Sequence, residues 1–133
     1  MIFVDSCAWF ALFVESSEDH DQAIEWRDVN TSRLLTTDYV VDETLTLLTA
    51  RGHKYRALGF GAQFFGPSRD LAALYRVDEY DLSEAWDVFR KFTDKQWSFT
   101  DCTSYVVMRR LGIDTAFTFD EHFRQFGFVT VVP

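Results

Sequence analysis

The chain alternates short apolar runs with longer segments whose apolar residues recur at helical spacing. The apolar runs, each bounded by polar or turn residues, predict strands at Ile2–Val4, Leu34–Thr37, Leu71–Val77, Thr115–Phe119 and Val129–Val132. The segments between them predict helices at Ser6–Val14, His20–Asn30, Tyr39–Ala50, Lys54–Phe65, Asp81–Phe92 and Asp101–Leu111, with a short helix that ends at Gly127. Alternation of this kind favours an α/β domain with a mostly parallel central sheet.

Polar and glycine residues mark where several of these helices begin and end. Asp38 is a natural N-cap for the helix that starts at Tyr39, and Asp81 with Glu84 has the spacing of a capping box. Gly112 follows the last long helix, where a residue in the left-handed conformation commonly ends a helix. These residues predict element boundaries as well as element types.

The composition is that of one folded domain spanning residues 1–133. Hydrophobic residues make up 47% of the chain and aromatic residues 17%, which excludes a disordered tail or linker. No apolar run reaches the length of a membrane span, and the first residues lack the basic start of a signal peptide. Cys7 and Cys102 form no C-x-x-C pair, so we expect two free structural thiols in a reducing cytoplasm. The net charge of −8 argues against electrostatic capture of nucleic acid over a broad surface.

Acidic residues recur where predicted strands end. Asp5 directly follows the first strand, Asp120 follows the strand at Thr115–Phe119, and Asp101 begins an apolar helix. Since ligands of parallel α/β sheets bind outside the carboxyl ends of the strands, we expect these side chains to meet at one edge. Each of the three acids has an alternative role as a helix N-cap, stabilised by backbone amides and the helix dipole. The sequence alone leaves that alternative open.

A fourth carboxylate, Glu43, lies inside the predicted helix Tyr39–Ala50, beyond its capping turn. On a helical wheel Glu43 lies at the margin of the buried arc, beside Val40 and Leu47. Asp42 falls on the far, solvated side, where an acidic residue is ordinary. We therefore expect Glu43 to belong to the site and Asp42 to the surface.

Four carboxylates at one sheet edge repel each other and raise each other's pKa values unless a cation joins them. Ligation by oxygen alone, without a His or Cys partner, indicates Mg²⁺ or Mn²⁺ rather than zinc. Such an ion activates water and neutralises charge at a phosphate. The pattern therefore predicts metal-assisted hydrolysis of a phosphodiester bond.

Taken in order along the chain, these segments resemble the PIN-domain ribonucleases. The resemblance rests on the strand followed by Asp5-Ser6, on helical Glu43, on SFTD at Ser98–Asp101 and on TFDEHF at Thr118–Phe123. It covers essentially the whole chain, and it is strongest toward the VapC-type toxins of bacterial and archaeal toxin–antitoxin pairs.

The resemblance implies a three-layer α/β/α fold and a Mg²⁺- or Mn²⁺-dependent endoribonuclease. It also implies a quartet of catalytic and metal-binding acids with two supporting hydroxyl residues: Asp5, Glu43, Asp101 and Asp120, with Ser6 and Thr100. Family members of this type are usually homodimers that a small antitoxin protein neutralises. A non-catalytic PIN module that acts only through protein–protein contacts is the alternative function.

The basic and histidine residues add less. The stretch RGHKYR at Arg51–Arg56 is either an RNA contact or a solvated turn between helices. A histidine-dependent ribonuclease needs two well-placed imidazoles, and nothing in the sequence selects a pair. We therefore expect His20, His53 and His122 at the solvated surface.

The aromatic residues outnumber what one face of the first helix can bury. Core packing accounts for part of the set. What remains of Trp9, Phe10 and Phe13, together with Phe60, Phe64 and Phe65, is expected to form a groove for an antitoxin helix.

Overall fold

A computed structural model describes all 133 residues and contains one five-stranded sheet in which every neighbouring pair of strands is parallel. The strands are β1 (Ile2–Val4), β2 (Leu34–Thr37), β3 (Ala73–Tyr75), β4 (Thr115–Phe117) and β5 (Thr130–Val132). The helices are α1 (Ser6–Phe13), α2 (His20–Val29), α3 (Asp38–Ala50), α4 (Lys54–Phe65), α5 (Glu79–Lys91) and α6 (Phe99–Leu111), with a 3₁₀ helix at Glu121–Phe126. The spatial order is β3-β2-β1-β4-β5, so β1 is the central strand.

The central strands are covered on both faces. Successive residues of a strand point to opposite faces of a sheet, and Phe3 and Val4 of β1 are both fully buried. Ala116 and Phe117 of β4 are fully buried in the same way. Helices therefore lie on both faces, as parallel connections require, and the predicted three-layer α/β/α fold is confirmed.

Large aromatic side chains join the helices to each other and to the sheet. Trp9 of α1 packs against Phe60 and Phe64 of α4, with ring centroids 5.6 and 6.0 Å apart. The ring of Trp26 in α2 lies 4.2 Å from that of Phe117 in β4. The buried hydrophobic residues form one contiguous cluster. No helix combines the length and the apolar content needed to cross a bilayer.

The expected aromatic groove is wrong for most of its members. Phe60 and Phe64 are buried, and Phe10 and Phe13 are half-buried against the core. Phe65 is exposed, at 57%, and lines a cleft of about 480 Å³ beside α4. The helical wheel of α1 alone does not show that α4 packs over its aromatic face.

Most predicted boundaries agree with the observed ones to within two residues. The N-cap of α3 differs from the prediction: it is Thr37, whose hydroxyl oxygen accepts a hydrogen bond from the amide of Val40 at 3.1 Å. Asp38 instead begins the helix, and its carboxylate accepts a hydrogen bond from the amide of Val77 at 3.0 Å. This contact ties the start of α3 to the segment between β3 and α5.

The capping box predicted at Asp81 and Glu84 is wrong, because α5 begins two residues earlier. Asp78 is the N-cap, and it forms the capping box with Asp81. The buried Asp81 carboxylate also accepts hydrogen bonds from the Tyr75 hydroxyl at 2.8 Å and from Arg110 Nε at 2.6 Å. Burial alone would raise the pKa of Asp81, but the hydrogen bonds from its partners outweigh burial and hold the pKa below its usual range. This charged residue thus links β3, α5 and α6.

Candidate active site

Asp5 lies at the carboxyl end of β1, in the centre of the sheet edge. Its amide donates to the carbonyl of Phe117 in β4 at 3.1 Å, and its side chain is almost wholly buried. One carboxylate oxygen, Oδ2, accepts hydrogen bonds from Thr118 Oγ1 at 3.1 Å and from Cys7 Sγ at 3.4 Å. The other, Oδ1, is buried and has no hydrogen-bond partner. A buried carboxylate oxygen without a donor is costly unless a cation or proton accompanies it.

Glu43 reaches the same edge from the second turn of α3. The Ser6 hydroxyl, in the first turn of α1, donates to Glu43 Oε1 at 2.5 Å. Glu43 is half-buried, whereas its neighbour Asp42 is exposed, as the helical wheel predicts. The Ser6 contact joins the first residue of α1, next to Asp5, to the helix after β2, so it fixes Glu43 relative to Asp5.

Asp101 enters from the first turn of α6. Ser98 is the N-cap of this helix, and its backbone amide donates to Asp101 Oδ2 at 3.0 Å, as one half of a capping box. The same oxygen lies 3.0 Å from Nδ1 of His122. The Asp101 side chain is only 6% exposed, so a backbone amide and an imidazole orient a largely buried carboxylate.

Asp120 follows β4 and caps the 3₁₀ helix, because its Oδ1 accepts a hydrogen bond from the amide of His122 at 2.9 Å. The imidazole of His122 lies 3.5 Å from the same oxygen. Potential metal-ligand atoms of Asp101, Asp120 and His122 all lie within 4.8 Å of one another. The sequence therefore misses one member of the cluster.

The expected surface positions of the three histidines are wrong. His122 faces the acids, with its side chain 29% exposed. Nδ1 of His20 lies 2.7 Å from the carbonyl oxygen of Ala11, and the ring of His53 packs on that of Phe10. The spacing of Asp120 and His122, two residues apart just after a strand, is the sequence signal that could have identified His122, but it is not used in the prediction from the sequence.

The acids influence one another's ionisation. Burial, followed by the negative charge of Asp101, raises the pKa of Asp5 to about 7. Burial also raises the pKa of Glu43, where the hydroxyls of Ser6 and Thr100 oppose the effect and the charge of Asp101 adds to it. Burial raises the pKa of Asp101 as well, against the opposing hydrogen bonds from Ser98 and His122. Mutual repulsion of this kind requires carboxylates that converge.

The capping alternative fails for Asp5 and holds for Asp101 and Asp120. Asp5 occupies the N-cap position of α1, but its side chain makes no capping hydrogen bond. Asp101 and Asp120 do bond backbone amides at their helix starts. Capping therefore gives no account of Asp5, and for the other two it is compatible with a second role.

Two further side chains, those of Thr118 and Cys7, contact the acids at this edge and were not predicted to do so from the sequence. The Thr118 hydroxyl bonds both Asp5 and the amide of Asp120. Cys7 is a free thiol as expected, but its Sγ contacts Asp5 and accepts from the amide of Phe119 at 3.2 Å. Burial, and then the charge of Asp5, raise the pKa of the Cys7 thiol well above its usual range, so it serves as a neutral hydrogen-bonding group.

The donor set fits a divalent cation. Ligand atoms of Asp101, Asp120 and His122 lie within 4.8 Å of one another. Asp5, with its unpartnered buried oxygen, and Glu43 lie near enough for the charge of Asp101 to raise their pKa values. Carboxylate oxygens suit Mg²⁺ and Mn²⁺, and imidazole suits transition metals. The basic stretch Arg51–Arg56 is not part of the acidic cluster.

The fold and this cluster define the chain as a parallel α/β domain with a candidate cation site at the carboxyl edge of its sheet. The family model described as "PIN domain" matches residues 2–129. The chain therefore belongs to the PIN domain family, as the order of its acidic segments predicts.

Relatives of known activity cover the chain fully. The 23S rRNA-specific endonuclease VapC20 of Mycobacterium tuberculosis, in strains CDC 1551 and H37Rv, is 35% identical over an alignment of 137 positions that covers 100% of this chain and 99% of the relative. The crystal structure of M. tuberculosis VapC20, described as a sarcin–ricin loop cleaving toxin, has a TM-score of 0.91 at 30% identity and 100% coverage of both chains. FitAcB of Neisseria gonorrhoeae has a TM-score of 0.71 at 13% identity, covering 100% of this chain and 97% of its own, a likeness of fold alone.

Proposed function

We propose that the chain is a divalent-metal-dependent endoribonuclease of the VapC type, with residues 1–133 forming a single nuclease domain. The observation that carries this proposal is the buried, unpartnered oxygen of Asp5 beside the charges of Glu43 and Asp101. Burying an unpartnered carboxylate oxygen beside other negative charges costs free energy, and a bound cation offsets that cost. A hydrolytic site that works without a cation needs no such cluster of carboxylates. The full-length likeness to an rRNA endonuclease supports the same chemistry.

The residues that would hold the ion, Mg²⁺ or Mn²⁺, are Asp5, Glu43, Asp101 and Asp120, with the nitrogen of His122 beside them. When bound, the ion supplies a lowered pKa for a water molecule and neutralises charge on the scissile phosphate. Because the carboxylates must be deprotonated to bind it, metal binding near neutral pH releases a proton from this cluster.

The neighbouring residues orient the acids. The Ser6 hydroxyl holds one oxygen of Glu43, and Thr100 supports the same side chain. Thr118 and Cys7 hold Oδ2 of Asp5, so that Oδ1 is left to face a ligand. Hydrogen bonds of this kind keep ligand side chains in one orientation, which is the usual role of groups behind a metal site.

We assign 23S rRNA as the substrate class because VapC20, the relative with 35% identity, is specific for that RNA. The chain's net charge of −8 gives it no broad attraction to nucleic acid. Recognition must then come from local contacts and from RNA shape, as is common for proteins that bind RNA loops.

The proposed protein partners are a second copy of the chain and a small antitoxin, acting in the cytoplasm. An acidic surface favours a basic partner. Leu58 and Phe65, exposed on α4 beside a cleft of about 480 Å³, offer apolar contacts. A basic side chain of the antitoxin among the four acids would occupy the place of the ion and block hydrolysis.

The test is cleavage of bacterial ribosomes and of purified 23S rRNA, mapped by primer extension, with Mn²⁺ or Mg²⁺ and with EDTA. We expect a cut within the sarcin–ricin loop that requires the ion and that is lost in Asp5→Asn and Asp120→Asn. Asp42→Asn, a variant of an exposed acid beside Glu43, is the matched control and should retain full activity. A parent protein that binds Mn²⁺ yet cuts no RNA would instead support a module that acts through protein contacts.

A further inference from the structure

A cleft separate from the one beside α4 lies next to the acidic cluster. This outer cleft has a volume of about 570 Å³, and its lining includes Cys7, Phe10, Glu18, Leu47, Arg51 and His53. Cys7 connects it to the acids, because its Sγ lies 3.4 Å from Asp5 Oδ2. The inner end of the outer cleft is therefore one side chain away from the candidate cation site.

Helix α3 leads from the acids into the outer cleft. Glu43, Leu47 and Arg51 are spaced four residues apart, so they lie in one row on the same helix face. The row runs from Glu43 to Arg51, the C-cap residue just after α3, and its eight residue steps rise about 12 Å along the helix axis. A strand that passes the acids along this row meets Arg51 at its far end.

The far end of the outer cleft combines a cation with an aromatic face. The Arg51 guanidinium carbon lies 5.7 Å from the ring centroid of Phe10, and the His53 ring packs edge-on against the same ring at 5.9 Å. Arg51 is exposed and forms no ion pair, although the chain carries an excess of acids. An unpaired arginine beside an aromatic ring is suited to a phosphate and a base.

We propose that the outer cleft holds one nucleotide of the RNA strand next to the cleaved bond, with its base against Phe10 and its phosphate at Arg51. The proposal rests on the ribonuclease function proposed above. Glu18 and Asp19, which also line the cleft, repel phosphate and accept hydrogen bonds from base amino groups. The backbone therefore follows the Arg51 side, and the base points toward these acidic residues.

The test measures binding of a fluorescein-labelled single-stranded RNA of mixed sequence by anisotropy, in EDTA so that the RNA stays intact. Arg51→Gln should weaken binding several-fold and reduce the slope of log K against log salt by about 0.7, as expected for the loss of one phosphate contact on a single strand. Phe10→Leu should weaken binding about ten-fold, as expected for a lost stacking platform.

Matched controls separate these contacts from bulk charge and folding. Arg33 is exposed, forms no ion pair and precedes β2 at the opposite edge of the sheet, so Arg33→Gln should bind RNA like the parent. Phe65→Leu is the aromatic control. Arg51→Gln removes only an exposed side chain, so its result stands even if Phe10→Leu proves unfolded by circular dichroism.

Three outcomes overturn the proposal. Parental RNA binding by Arg51→Gln does so, and so does an equal loss in Arg33→Gln. Unchanged RNA binding by Arg51→Gln combined with weaker binding of the proposed antitoxin assigns the outer cleft to a protein partner. The two proposals fail in different ways. If the parent cleaves RNA and the cleft variants bind RNA like the parent, only the nucleotide site in the outer cleft is refuted. If the parent neither binds nor cleaves RNA, the ribonuclease function is refuted as well.

Discussion

The metal-free protein should lose stability as pH rises through neutrality, because Asp5 prefers to be protonated when the chain is folded. Its pKa is about 7 in the folded protein against an ordinary 3.8. Between these values the folded state holds more protons than the unfolded state, so the free energy of unfolding falls as pH rises. The difference corresponds to about 4 kcal/mol in full, and about 2 kcal/mol of it falls between pH 5.5 and 8.

The assay is urea unfolding followed by circular dichroism at pH 5.5 and pH 8, in EDTA. Asp5→Asn keeps the shape and an acceptor oxygen for Thr118 and Cys7, but it removes the ionisation. The variant should therefore lose about 2 kcal/mol of the parent's pH dependence. Asp42→Asn, an exposed control, should retain all of it.

The other titratable groups with shifted pKa values do not reverse this fall in the free energy of unfolding with rising pH. Glu43 and Asp101 have raised pKa values, so they add to the same decline with rising pH. The lowered pKa of Asp81 acts oppositely, but its contribution is lost only as pH falls below its ordinary range, outside the window tested. If the free energy of unfolding depends on pH equally in the parent and in Asp5→Asn, the raised pKa of the buried Asp5 carboxylate is refuted, and with it the main argument for a cation.

The other predictions concern the cation, the imidazole and the core. Asp101→Asn keeps an oxygen that can accept the hydrogen bond of the Ser98 amide, so it should melt at or above the parental temperature without metal, yet gain little from Mn²⁺ and cleave no RNA; full activity would leave Asp101 only its place in the capping box. His122→Gln should lower Mn²⁺ affinity more than Mg²⁺ affinity by calorimetry, because imidazole favours transition metals, and equal losses would contradict ligation by nitrogen. Phe60→Ala should lower the free energy of unfolding by about 3–5 kcal/mol and Phe65→Ala by less than about 0.5 kcal/mol; similar costs would contradict the packing described.

Local patterns in the sequence were sufficient for the fold and for the positions of the four acids. The apolar run of β1 stops at Asp5, the run Thr115–Phe119 stops at Asp120, and Glu43 lies at the margin of the buried arc of its helix. These signals lie within one turn or one strand, so no tertiary information is needed to read them. The family resemblance adds the roles of the acids, which remain a proposal.

What the sequence did not predict depends on contacts between distant segments. The burial of Phe60 follows from its packing on Trp9, which is 51 positions earlier. Asp81 is buried because Arg110 reaches it from another helix. In the sequence His122 has the pattern of an exposed polar residue, but in the fold α6 places Asp101 against its ring. Side-chain partners of this kind are set by tertiary packing, and hydrophobic periodicity carries no information about them.

The order of the strands has a consequence for how the protein emerges during synthesis. The first strand made, β1, is central, and its Phe3 pairs with Ala116 of β4, 113 positions later. A nascent chain released at Leu111 has Asp5 and Glu43 but lacks Asp120 and one neighbour of its central strand. Premature termination therefore yields fragments without a complete acidic cluster. The complete cluster therefore exists only once the chain through Asp120 has been synthesised.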